Sequence, residues 1–332
     1  MIYGHGDDTY NYRYIRMNFS SNIPSHADLS ALEDYLRSRI SVIRSYPEPS
    51  PRSLEEKIAH SIGRNPSEVL VTSGATEAIY LIAQAASHVC SEEEKGNSTF
   101  TVVHPTFSEY DSACLMFGMT EDWDGDLCWL CNPNNPTGEL RDEAFVRALA
   151  ARHRLLVIDQ SYEDYVLCPL PKIDDLPNVI VLHSMTKKYG IPGLRLGYVT
   201  APAAIIERLR HFCRPWAVNA LAIEAGMWLL DRPIPDNTVW LQEAQRMRVA
   251  LNQIPGIHAG DTQTNFMLCT IEDHTAAELK EYLASQHGLL IRDAANFRGL
   301  TPHHFRVAAQ LPEENDELVR EVEKWRSEEV RK

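Results

Sequence analysis

Short apolar runs recur along the first two thirds of the chain, each closing on polar or turn-forming residues: SEVLVTSG, STFTVVHP, DLCWLCNP, RLLVIDQ, NVIVLHS and RLGYVTAP. Between them lie stretches with helical spacing, such as TEAIYLIAQAASHV. Unbroken apolar runs alternating with helices predict strands buried on both faces, in a mostly parallel sheet covered by helices. Ser53-Leu-Glu-Glu56 has the form of a capping box opening the helix SLEEKIAHSIG. Beyond about residue 230 the pattern changes to a helix (TVWLQEAQRMRVALNQI), a strand (TNFMLCTI), a helix (TAAELKEYLASQHG), two short strands (LLIR and HFRVAA) and a charged last helix. That is an α+β module, expected to be joined by the N-terminal helix around SALEDYLRSRIS. The expected organisation is an α/β protein with a large domain over residues 41–229 and a smaller α+β domain of residues 1–40 with 230–332.

Composition narrows the functional classes. At 332 residues and 44% hydrophobic, the chain is long enough for one large core and a satellite. No apolar run approaches the ~20 residues of a membrane span, and MIYGHGDDTYNYRYIRMNFSSN lacks the basic start and apolar stretch of a secretory signal, so a cytoplasmic, membrane-free protein is expected. Lys and Arg number 32 against 46 Asp and Glu, a net charge of -14, which argues against bulk attraction to nucleic acid or an anionic membrane. Any anionic ligand must be held by a local cluster of donors. Seven scattered cysteines suit free thiols better than a disulfide framework. Cys128 and Cys131 lie three apart in an apparent buried strand and so face opposite sides, which favours core packing, and no metal site is expected.

In an open parallel sheet, ligands bind beyond the carboxyl ends of the strands, so the residues just after each apolar run carry the candidate chemistry. After VLVT come Ser73-Gly-Ala75-Thr76, small residues entering a helix, where free N–H groups and the helix dipole suit a phosphate; a tight turn explains them equally well. After TVVHP comes Phe107, placed to stack on a flat ring or to pack in the core. Asn135 follows WLCNP in a turn sequence, where its amide could also donate to a ligand oxygen. Asp159 closes LLVID with Tyr162 three residues on; a carboxylate there needs a cationic partner or serves as a helix N-cap. After VIVLHS come Lys187 and Arg195.

Pyridoxal 5'-phosphate meets all of these positions at once: an aldehyde for a lysine, a phosphate for a cup and an arginine, a ring for an aromatic, a pyridine nitrogen for a carboxylate and a phenolic oxygen for Asn and Tyr. Ser184-x-x-Lys187 with Arg195 eight residues later, the Asn-Pro-Thr-Gly of Asn135 to Gly138, and Asp159-x-x-Tyr162 together resemble the class I and II aminotransferase fold over nearly the whole chain. The resemblance implies Lys187 as the cofactor-anchoring lysine. It implies Ser184, Arg195, Ala75 and Thr76 as the phosphate cup, Phe107 as the stacking aromatic, Asp159 as partner of the ring nitrogen, and Asn135 and Tyr162 as partners of the phenolic oxygen. Lys188 is expected to point elsewhere, into solvent.

Two branches of that family compete. Tyr46, in Ser45-Tyr46-Pro47-Glu48, resembles the histidinol-phosphate aminotransferase tyrosine that reaches the neighbouring subunit's cofactor, which implies a homodimer. Gly4-His5-Gly6, Asn18-Phe-Ser-Ser-Asn22-Ile, Gly74-Ala-Thr-Glu-Ala-Ile-Tyr80, Leu290-Ile-Arg-Asp293 and Asn296-Phe-x-Gly-Leu300 resemble the threonine-phosphate decarboxylases of cobalamin synthesis more closely. In that branch Arg306 resembles the arginine that forks onto the substrate carboxylate, and Arg292 and His5 the donors to the substrate phosphate, with Asn22 beside them. The implied substrate is a phosphorylated amino acid. Decarboxylation of L-threonine O-3-phosphate is the leading expectation and transamination of the histidinol-phosphate type the second. A non-catalytic ligand sensor comes third, because Lys187, Asp159 and Arg195 are intact and no basic patch is present.

Overall fold

The computed structural model describes residues 6–23, 26–93 and 98–329. A short strand, β1 (Met17–Asn18), precedes the helices Ser30–Arg39 and Arg52–Ile62. The chain then lays down β2 (Val69–Thr72), β3 (Thr99–Val102), β4 (Thr120–Glu121), β5 (Leu127–Cys131), β6 (Leu155–Asp159), β7 (Val179–His183) and β8 (Gly197–Thr200). These form one seven-stranded sheet in the order β2-β8-β7-β6-β5-β3-β4. Strands β3 to β7 run parallel, and β8 is antiparallel to both of its neighbours.

The unbroken apolar runs follow from this topology. Along β5, Leu127, Trp129 and Cys131 pack into one core with Ile79 and Ile82, while Cys128 and Leu130 pack into another with Val146 and Ile158. Both faces are covered, so every position is apolar.

The second sheet is antiparallel. It comprises β9 (Ile257–Ala259), β10 (Phe266–Ile271), and, after β11 (Leu289–Leu290), β12 (Arg292–Asp293) and β13 (His304–Ala308), in the order β12-β13-β10-β9. Strand β11 pairs in parallel with β1. Helices Thr238–Leu251 and Pro312–Glu329 cover this sheet, with Met247, Leu251, Leu318 and Val322 sharing a core with Phe19, Met267 and Phe305.

Two local expectations change. The helix Ser30–Arg39 does not join the smaller core: its buried Leu32 packs with Leu54, Ile58 and Ala222 beside the large sheet. What joins the smaller core is β1 with Phe19, so the first forty residues are shared between the two cores. Ser53 is not an N-cap either. The helix starts at Arg52 after Pro51, and the Ser53 N–H is taken by Glu48 Oε2 at 3.1 Å. Capping boxes form instead at Asn65 with Glu68 and at Thr275 with Glu278. No described helix is long and apolar enough to cross a membrane.

Candidate active site

A cavity of about 300 Å³ opens beyond the carboxyl ends of the parallel strands, closed on its far side by residues of β12, β13 and the segment after β1. Its floor is the start of the helix Gly74–Glu93, whose first N–H groups have no partner within the helix. A Cβ on Gly74 (φ 81°) would lie 2.7 Å from Arg195 Nη2, and one on Gly197 would lie 3.0 Å from Ala75 N. Both glycines therefore let the β8 backbone and the arginine close on the helix start. Arg195 reaches it because the turn Pro192–Leu194 ends with Arg195 itself in the left-handed region (φ 55°, ψ 72°). Ala75, Thr76, Ser184 and Arg195 thus line one cup. Thr186 lines it too, with a buried hydroxyl that has no partner among the described residues. Sequence reasoning passed over Thr186, although a hydroxyl directly before Lys187 was visible.

Asp159 ends β6 inside the cavity wall. Among the described residues its partners are neutral donors, and it caps no regular helix. Oδ2 accepts from Tyr110 Oη at 2.7 Å and Oδ1 from Ser161 N at 2.8 Å. Tyr110 is fully buried and its ring stacks on Trp129, with centroids 5.0 Å apart. Burial and the Asp159 charge push its hydroxyl well above the usual range, so it stays a donor. Phe107, edge-on to Tyr110 at 5.9 Å, also lines the cavity. Of the two aromatics in PTFSEY, position after the strand singles out Phe107 and leaves Tyr110 unmarked.

Lys187 lies on a one-turn helix, Met185–Tyr189, and its Nζ donates to Ser21 O at 3.1 Å. Burial, then the charges of Arg306 and Arg195, lower its pKa from 10.5 to about 8. Lys188 does point elsewhere, but not into solvent: its Nζ pairs with Asp164 at 2.9 Å, with only 20% of the side chain exposed. Tyr162 is buried, accepts from Asn22 Nδ2 at 3.3 Å, and is pushed up to about 12 by that burial. Asn22, itself buried with φ 57°, stands behind the wall.

The far wall carries two buried arginines. Arg292 and Arg306 are directly opposite each other on β12 and β13, so their side chains leave the same face. Arg306 donates to Asn135 Oδ1 and Ser20 O, and its Nε is buried with no partner among the described residues. Asn135 is thus engaged by Arg306 as well as lining the cavity. Arg292 donates to Asn296 Oδ1 at 2.6 Å. Burial lowers both guanidinium pKa values to about 10, which leaves them cationic at neutral pH. Tyr46 is not brought to this cavity: it is 84% exposed and packs on Trp216, and His5 lies outside the described residues, so no position is assigned to it.

The donor set fits pyridoxal phosphate. The helix start, Ser184, Thr186 and Arg195 would take its phosphate, Asp159 its ring nitrogen, and Lys187 its aldehyde carbon. The hydroxyl of Thr186 and Nε of Arg306 remain free for a ligand.

Comparison with known proteins agrees. A family described as aminotransferase class I and II matches residues 124–322. The threonine-phosphate decarboxylase of Salmonella typhimurium is 30% identical, over 91% of this chain and 89% of its own length. The crystal structure of L-threonine-O-3-phosphate decarboxylase from Porphyromonas gingivalis superposes with a TM-score of 0.86 at 34% identity, covering 93% of this chain and 99% of that one. A histidinol-phosphate aminotransferase of Caldanaerobacter subterraneus is 28% identical over 83% of each chain.

Proposed function

This chain belongs to the aminotransferase class I and II family and is a pyridoxal phosphate-dependent enzyme; from that premise we propose that it decarboxylates L-threonine O-3-phosphate. The observation that carries this reading is the pairing of Arg292 with Arg306 across β12 and β13. Two like charges side by side and buried are costly, and although the charges of Asp293 and Asp8 act on Arg292, a ligand can bring the further negative charge that the pair favours. An amino acid with both a carboxylate and a phosphate does so: Arg306 forks onto the carboxylate and Arg292 takes the phosphate. The decarboxylase relatives, at 30% and 34% identity against 28% for the aminotransferase, support the same choice.

Pyridoxal phosphate, when bound, supplies the electron sink that accepts the electron pair of the bond broken at the substrate Cα. The chain does the rest. Asp159, held by Tyr110 and Ser161, is the carboxylate that would hold a proton on the ring nitrogen. Lys187, with its pKa near 8, has an uncharged fraction at neutral pH and can take up a proton and return it to Cα when the carboxylate leaves as carbon dioxide. Tyr162 and Asn135, which line the cavity, would hold the phenolic oxygen, and Tyr46 would complete the site of a second subunit in a homodimer.

The second reading, transamination of histidinol phosphate, draws on the aminotransferase relative. Incubation with phosphothreonine should release carbon dioxide and an aminopropanol phosphate with no keto acid required. Glutamate formed from histidinol phosphate and 2-oxoglutarate, without carbon dioxide from phosphothreonine, would replace the first reading by the second.

A further inference from the structure

We infer that the Asp164–Lys188 ion pair is a rotational lock that aims Lys187 into the cavity, making both residues positioning residues for the reaction. The inference rests on Lys187 as the cofactor anchor. The helix that carries it, Met185–Tyr189, is a single turn, too short to hold its own orientation. Successive side chains on such a turn diverge by about 100°, so fixing Lys188 fixes the direction in which Lys187 leaves.

Two residues of the turn after Tyr162 grip this helix, and a third holds the end of β7 just before it. Glu163 bonds His183 Nδ1 at 2.8 Å, Asp164 pairs with Lys188 Nζ at 2.9 Å, and Tyr165 Oη donates to Lys187 O at 2.8 Å. From the other side, Asn237 Nδ2 donates to Lys188 O at 3.1 Å. The same short segment, Asp159 to Tyr165, therefore carries the candidate partners of the ring at one end and the clamp on the lysine helix at the other. Their relative placement is set over seven residues of chain. Asp164 and Lys188 are only 16% and 20% exposed, so removing one partner strands a shielded charge, whereas neutralising both does not. That difference separates stability from positioning.

The test compares Lys188→Met, Asp164→Asn, the double variant and Lys188→Arg. Three quantities are measured: melting temperature, the pH midpoint of the visible band of the lysine-bound cofactor, and the rate of covalent cofactor attachment, trapped by borohydride and read as a mass increase. Each single variant should melt lower, shift the midpoint and slow attachment roughly tenfold, since small misplacements of a reacting group cost that much or more. The double variant should recover the melting temperature but neither of the other two, and Lys188→Arg should keep all three. A double variant that attaches cofactor at the wild-type rate with the wild-type midpoint overturns the lock, even if the single variants fail to fold. Lys187→Ala keeps the two readings apart: covalent cofactor retained in that variant overturns the anchor itself, whereas its loss there beside a wild-type double variant overturns only the lock.

Discussion

The cofactor-side wall and the substrate-side wall of the cavity handle charge in opposite ways. On the first, Asp159 is an anion compensated by two neutral donors, Tyr110 Oη and Ser161 N–H, which hold it without quenching it. On the second, Arg306 is a buried cation that meets an amide oxygen and a backbone carbonyl, and among the described residues no carboxylate pairs with it. The first wall holds its anion with neutral donors, whereas in the second Arg306 has no carboxylate partner among the described residues and, on the proposed function, would receive one from the substrate. Lys187 stands between them and feels both, since Arg306 from one wall and Arg195 from the other add to the effect of burial on its pKa.

The largest effect that would test this contrast is on Arg306. Replacing it by alanine should lower kcat/KM by about a hundredfold to a thousandfold, the usual loss for a desolvated charge contact, while covalent cofactor attachment stays intact. Loss of attachment in the same variant would mean that the two walls are not separable. Arg292→Ala should act more narrowly, raising KM for the phosphorylated substrate about tenfold to a hundredfold and leaving KM for its phosphate-free analogue alone. Equal changes for both substrates would return Arg292 to a structural role on its strand.

The smallest effect concerns the cofactor-free protein. In the folded chain Lys187 loses its proton near pH 8, but in the unfolded chain only near 10.5, so between these values the folded state binds fewer protons and stability rises with pH. The penalty is full below pH 8 and gone above 10.5. Lys187→Met should therefore be more stable than wild type at pH 7, by about 3 kcal/mol in denaturant unfolding, with the advantage fading to nothing as the pH passes 10.5. An advantage that stays constant with pH would show that Lys187 is not the group under strain.

Much of the first wall was readable along the chain because its parts are local. Each candidate follows a strand within a few residues, and Ser184, Lys187 and Arg195 fall within one strand-turn-strand passage. Where the sequence misled, a distant residue had intervened. Tyr110 is 49 positions from Asp159 and reaches it only because the helix after β3 lies over the end of β6. Lys188 looked solvated until the turn after Tyr162 brought Asp164 beneath it. Ser53 had the pattern of a cap, yet Glu48 in the preceding loop took its N–H.

From the sequence alone follow the layered α/β architecture and, through the family motifs it resembles, the expectation of a cup at the start of the helix Gly74–Glu93 and of Lys187 rather than its neighbour as the anchor, because hydrophobic period and motif spacing are properties of a short stretch of chain. Only the tertiary structure decided that Arg292 and Arg306 stand opposite one another, that Arg306 bonds residues 171 and 286 positions away, and that the helix Ser30–Arg39 packs against the large sheet. Strand register and the packing of distant elements are set by the whole core at once, and no local pattern encodes them.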